Sequence, residues 1–157
     1  MDSATYDVAL TLHLLGALMF FAGIVLAGVA FEAARRRSEP AEIALLLSIT
    51  RIGVLLVGVG TVLLGAFGLW LVHLGRWGYG ATWVDASIGL LLVALLLGGL
   101  GGQQPKRARH LAAALAERGA PISAELRSLL DDPISRLENY GSLALALAIV
   151  VLMVFKP

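Results

Sequence analysis

The sequence predicts an all-α integral membrane protein. We expect a four-helix bundle with both termini outside (N-out/C-out) and a short amphipathic helical segment on the cytoplasmic side, between helices 3 and 4. Three observations carry this. First, 59% of the 157 residues are hydrophobic and 15% are charged, where soluble domains hold roughly a quarter charged; the mean hydropathy is +0.86. Second, four stretches contain no Asp, Glu, Lys or Arg: 8–31 and 52–75, with 24 residues each, and 86–102 and 139–155, with 17 each. At about 1.5 Å per residue even the shorter ones cover ~26 Å, most of a ~30 Å hydrocarbon core. The runs are continuous and do not alternate as barrel strands would, so the spans are helical. Third, ten of the twelve basic residues fall on one side of the spans, with only Arg76 and Lys156 on the other. The positive-inside rule makes the ten-residue side cytoplasmic.

The elements follow in order within a single membrane domain, 1–157, with spans near 7–33, 43–74, 83–102 and 133–155. The first span opens near Asp7 and closes in Arg35, Arg36 and Arg37. Asp2 and Asp7 replace the basic leader of a cleaved signal peptide, and the apolar run is too long for one. Glu39-Pro40 breaks the chain before the second span, which has no stop signal from Ala41 onward. A short outer loop with Gly78 and Gly80 leads to the third span, whose closing glycines, Gly98, Gly99, Gly101 and Gly102, permit a helix end. The segment 103–131 reads as an alanine-rich amphipathic helix stopped by Gly119 and Pro121, then a second short helix from about Ser123 to Leu130. Its basic face is expected against anionic headgroups. Asp132-Pro133 looks like an N-cap with proline at the first helical position, launching the fourth span. Tyr6, Trp70, Trp77, Tyr79 and Trp83 gather at the outer interface, as amphipathic rings prefer. Small pairs four apart, Gly23 with Ala27, Thr61 with Gly65 and Gly98 with Gly102, suit close helix packing in lipid.

Composition also narrows the chemistry. Cysteine is absent, which excludes disulfides and thiol catalysis. The basic residues are accounted for by topology, so nucleic acid is not an expected partner; the lipid bilayer is, with a homo-oligomer or a membrane-protein partner besides. The serines show no nucleophile elbow or acid–histidine company, and the glycines no phosphate loop, so an enzyme is the less favoured class. The middle of the membrane region carries no ionisable group, which disfavours a proton-coupled carrier. Glu32 and Arg51 both lie near the inner boundary and are expected to face each other or the headgroups.

The histidines remain. Arg51 and His73 are 22 residues apart on one helix, ~33 Å, so His73 meets the outer boundary when Arg51 meets the inner one. The same length counted back from Glu32 places His13 about 4.5 Å inside that boundary, and Met153 reaches a similar depth on the fourth span. His13 shares a helix face with Gly16, Ala17, Phe20, Ile24 and Ala27, small enough overall to turn inward. Two imidazoles, or an imidazole and a thioether, are what haem b or a soft copper ion needs, so His13 and His73, with Met153 for a metal, are the candidate cofactor ligands. Against this, His73 suits a plain interfacial residue and His13 a bundle histidine bonded to a backbone carbonyl. His110 lies on the cytoplasmic helix and is expected in solvent.

The run Leu12-His13-Leu14-Leu15-Gly16-Ala17, with small residues and a basic cluster after it, resembles the opening helix of small bacterial membrane proteins; the ending Leu152-Met153-Val154-Phe155-Lys156-Pro157 is compatible. Together they look like an uncharacterised domain-of-unknown-function family of four-helix integral membrane proteins, distantly similar to copper-resistance-D-like proteins. The resemblance implies a multi-pass protein of the bacterial cytoplasmic (inner) membrane and a first-helix ligand at His13. Where those proteins carry tryptophan, one further residue and two glycines, this chain has Phe20-Phe21-Ala22-Gly23. The expected function is an accessory or structural membrane unit with an outer-leaflet haem b or copper site for electron transfer or metal handling. The alternative is a cofactor-free interaction or transport-related subunit, acting through its cytoplasmic helices or as an oligomer.

Overall fold

A computed structural model of the chain describes residues 3–75, 80–101 and 103–155. Arg76, Trp77, Tyr79 and Lys156, which entered the topology and aromatic-belt arguments, lie outside the described residues, as does Gly102. The elements are α1 (Ser3–Arg35), α2 (Pro40–Leu74), α3 (Thr82–Gly101), α4 (Gln103–Glu117), α5 (Ala124–Leu130) and α6 (Pro133–Phe155). No strand occurs among the described residues, and four helical runs are long and apolar enough to cross a membrane.

Helices α1 and α2 have 33 and 35 residues, about 50 Å each, well beyond a ~30 Å hydrocarbon core. The hairpin they form therefore projects from the bilayer. Proline at the first position of α2 sets its φ and removes an amide that has no helical partner there.

Glycines let the two long helices meet. Ala9, Gly16, Gly23 and Ala30 are buried on α1 at intervals of seven residues, a period that keeps one stripe turned to a partner. Gly53 and Gly60 repeat the interval on α2. A Cβ at Gly23 would lie 2.5 Å from the Gly53 carbonyl oxygen, and one at Gly60 would lie 2.5 Å from the Phe20 nitrogen. The seam thus brings backbone against backbone. Of the small pairs expected from four-residue spacing, Gly23 and Ala27 do meet Gly53. Gly65 and Gly98 face open space instead, and Thr61 donates to the Val57 carbonyl of its own helix at 2.7 Å.

At the end carrying the arginines, α4 and α5 pack on the projecting part of the hairpin. Ala108, Ala112, Leu126 and Leu130 share a core with Phe31, Ala34, Ile43 and Leu47. The apolar face of α4 is therefore spent inside the protein, while Lys106, Arg107 and His110 stay exposed. Gly119, at φ +60, ends α4 in a left-handed turn, and Ala120 N–H reaches back to the Leu115 carbonyl at 3.0 Å, a Schellman closure. The Ser123 hydroxyl caps α5 by accepting from Leu126 N–H at 3.1 Å. Arg127 donates to the Arg35 carbonyl at 2.8 Å and the Arg37 carbonyl at 3.1 Å, satisfying groups that the end of α1 leaves open. Asp132 caps α6, accepting from Ser135 N–H at 2.9 Å.

Of the two arrangements expected for Glu32 and Arg51, the mutual pair does not form. Glu32 pairs with Arg35 at 2.9 Å and with Arg36 at 3.4 Å, because residues three and four apart on one helix are neighbours; Arg51 takes no part. Helix α3 ends at Gly101, within the glycine cluster expected to close it.

Helix α3 packs along α6, and this second pair touches the first lightly. Between the pairs Asn139 lies over Gly28, where a Cβ would lie 2.6 Å from the amide nitrogen. A tight hairpin and a loosely joined second pair leave space between them.

Candidate functional site

His13 is half-buried on α1, with Nδ1 3.0 Å from the Leu64 carbonyl oxygen. A carbonyl only accepts, so Nδ1 is the donor, which directs Nε2 away from this bond. Gly68 makes room for the ring: a Cβ there would lie 3.0 Å from Cε1. His73 is exposed in the last turn of α2. It follows Leu64 by nine residues, which at about 100° per residue puts it on the opposite side of the helix. The two imidazoles therefore address different faces of α2. Met153 is half-buried on α6, whose main neighbour is α3. Among the described residues no three His, Asp or Glu side chains are grouped as metal ligands.

A larger feature lies at the other end. A cavity of about 830 Å³ opens between the helix pairs, below α4. It exists because its walls carry small residues: Gly58 on α2 and Gly98 on α3 border it, and a Cβ at either would meet nothing within 4 Å. Phe20, Ile24 and Val54 line its depth, while Arg51, Lys106 and Arg109 border it towards the arginine-rich end.

Helix α6 contributes the polar wall. Ser135, Glu138, Asn139 and Ser142 all line the cavity, at the i, i+3, i+4, i+7 spacing of one helix face. This stripe is legible in the sequence at the head of the fourth span, yet a search for charged groups at mid-membrane passes over it. Asp132 fixes where it begins: its carboxylate also accepts from the Ser135 hydroxyl at 2.8 Å.

The electrostatics are unbalanced. Arg35 is engaged by Glu32 and by Asp131, the latter at 3.1 Å. Arg51, Lys106 and Arg109 have no carboxylate partner within ion-pair distance among the described residues, and Glu138 has no basic one. Three cations and one carboxylate therefore border an apolar cavity.

Four apolar helices, two of them joined at a glycine seam made for lipid, define a polytopic integral membrane protein. The chain belongs to the family described as predicted integral membrane protein (DUF2269), which it matches over residues 7–157. No curated protein and no solved structure matches it. None of these comparisons shows the likeness to copper-resistance-D-like proteins.

Proposed function

We propose that the protein is a non-enzymatic, transport-related membrane subunit that holds an amphiphilic guest in the cleft between α1–α2 and α3–α6. The observation that carries this is the cavity itself, within the ~300–1,000 Å³ range of pockets that enclose small molecules. It is lined by apolar side chains with a polar stripe along one wall. Purified protein should take up an environment-sensitive apolar dye. At Gly58 and Gly98 a Cβ meets nothing within 4 Å, so leucine at either position extends into the cavity and should lower dye binding several-fold while leaving the helix content unchanged. Equal uptake by wild type and both variants would sink the reading.

In this reading the termini are outside and the arginine-rich end is in the cytoplasm of a bacterial inner membrane, on the strength of the ten-to-two charge bias. Single cysteines at positions 36 and 109 should resist an impermeant reagent applied to intact cells, and one at position 76 should react. The reverse pattern would invert the topology.

A second reading keeps a cofactor at His13. The Leu64 carbonyl holds the ring with Nε2 directed away from this bond, as a second-shell partner orients a metal-binding imidazole. If haem b is held there, purified protein shows a Soret band that His13→Ala abolishes. If copper is, elemental analysis finds about one metal per chain, lost with the same substitution. A colourless, metal-free preparation makes His13 a packing residue.

A further inference from the structure

We infer that the guest is an anionic phospholipid drawn from the leaflet at the arginine-rich end, with its phosphate between Arg51, Lys106 and Arg109 and an acyl chain in the cavity. The inference rests on the cleft reading above and assigns its ligand by three independent features.

The first is charge. Arg51 comes from α2, and Lys106 and Arg109 come from α4; all three border the cavity at one end. Lys106 and Arg109 are three residues apart and so share a helix face. Arg51 lies one turn beyond Leu47, a residue packed in the core that holds α4. The fold therefore brings the cations of two separate elements to one mouth, and none of them is paired with a carboxylate among the described residues. Glu138 alone offsets them. Basic pockets between spans on one face of a membrane are suited to lipid headgroups.

The second is depth. The wall runs along α1 from Phe20 to Phe31, eleven residues or about 16 Å. That is one leaflet, half of a ~30 Å hydrocarbon core. A guest with its head at the cations would extend its tail through one leaflet and no further, as a resident lipid does.

The third is the polar stripe. Asn139 presents its amide at Gly28 on the cavity wall with no hydrogen-bond partner among the described residues. Ser142, one turn deeper, is buried and lines the same wall. These groups stand below the cations, where the glycerol and ester oxygens of a phospholipid follow its phosphate. A free inorganic anion would use the cations but neither the apolar depth nor the amide.

The test is native mass spectrometry of the full chain in a neutral detergent, titrated with dioleoyl phosphatidylglycerol and dioleoyl phosphatidylcholine in equal amounts. Wild type should retain the anionic lipid about thirtyfold better, the scale expected when two membrane-proximal cations, at about a factor of five each, act on one headgroup after Glu138 offsets the third. Arg51→Gln with Arg109→Gln should abolish the preference. Arg107→Gln with Arg118→Gln removes the same charge from exposed positions that do not border the cavity, and should leave it intact. Should the first double variant fail to fold, Lys106→Gln alone serves, with an expected loss of several-fold.

Equal retention of the two lipids overturns the inference, as does equal loss in both double variants, which would mark diffuse surface attraction. Displacement of the lipid by millimolar inorganic phosphate would assign the site to a free anion and also overturns it. If dye binding still responds to Gly98→Leu while the lipids bind alike, the ligand assignment falls and the cleft reading stands. Loss of the dye response removes both.

Discussion

Gly23→Leu and Gly60→Leu, made singly, should each destabilise the protein by about 3 kcal/mol, the upper end of the overpacking range. The reason is what the new side chain meets. At Gly23 a Cβ would lie 2.5 Å from the Gly53 carbonyl oxygen and 2.8 Å from the Val57 nitrogen; at Gly60, 2.5 Å from the Phe20 nitrogen and 2.7 Å from the Gly16 carbonyl oxygen. These are backbone atoms, and no rotamer change can move them aside. Relief requires α1 and α2 to part, which loosens the seam along its length. Gly65→Leu and Gly89→Leu are the controls, since nothing lies within 4 Å of a Cβ at either position; the gain in helix propensity there is under ~1 kcal/mol. Unfolding in mixed micelles should separate the two sets cleanly. Equal stability of the seam and control variants would mean that the helices are not in contact as described.

Leu126→Ala and Leu130→Ala should each cost about 2–5 kcal/mol, as deletion of a fully buried leucine does. Both side chains are fully buried, in a core built from α1, α2, α4 and α5. Leu126 and Leu130 themselves lie outside the four charge-free spans, so their loss is judged by the rules of a water-soluble interior. Leu137→Ala provides the comparison because Leu137 is 74% exposed. Release of α5 also withdraws Arg127 from the Arg35 and Arg37 carbonyls, so protease cleavage within 103–131 should quicken in parallel. A Leu126→Ala protein as stable and as protease-resistant as Leu137→Ala would show that α4 and α5 do not dock on the hairpin.

The helical spans were legible because lipid as solvent imposes a strong, local and one-dimensional rule: a run of about 17 or more residues without charge. The punctuation was legible for a similar reason. Asp132-Pro133 and Gly119 act on backbone groups within a few residues of themselves, and both occur where such chemistry is needed. Periodicity puts His13 on a face with small residues, and the Leu64 carbonyl is the backbone partner that suits a bundle histidine.

Everything that depends on which helix faces which was harder. Glu32 and Arg51 share a depth, but depth leaves azimuth free, and the local neighbours Arg35 and Arg36 capture Glu32 instead. His73 shares the outer layer with His13 on similar grounds, yet nine residues of rotation turn it away from the Leu64 face. Four-residue spacing finds Gly23 with Ala27 at the seam but not its seven-residue period, Gly16 with Gly23 and Gly53 with Gly60. Gly58 and Gly98 have the same composition signal and the opposite role, facing space.

By itself, then, the sequence determined an all-helical membrane protein with four apolar spans, its punctuation, and the charge bias across it. Those properties are sums or short-range patterns along the chain, and they hold whatever the helices do to one another. Only the tertiary structure decided that α1 and α2 close on a glycine seam while α3 and α6 stand off. It also decided that α4 buries its apolar face on α2, and that Arg51, Lys106 and Arg109 border one cavity. Packing and voids depend on the relative rotation of helices distant in sequence, and in lipid no difference in polarity between helix faces dictates that rotation; close fit does.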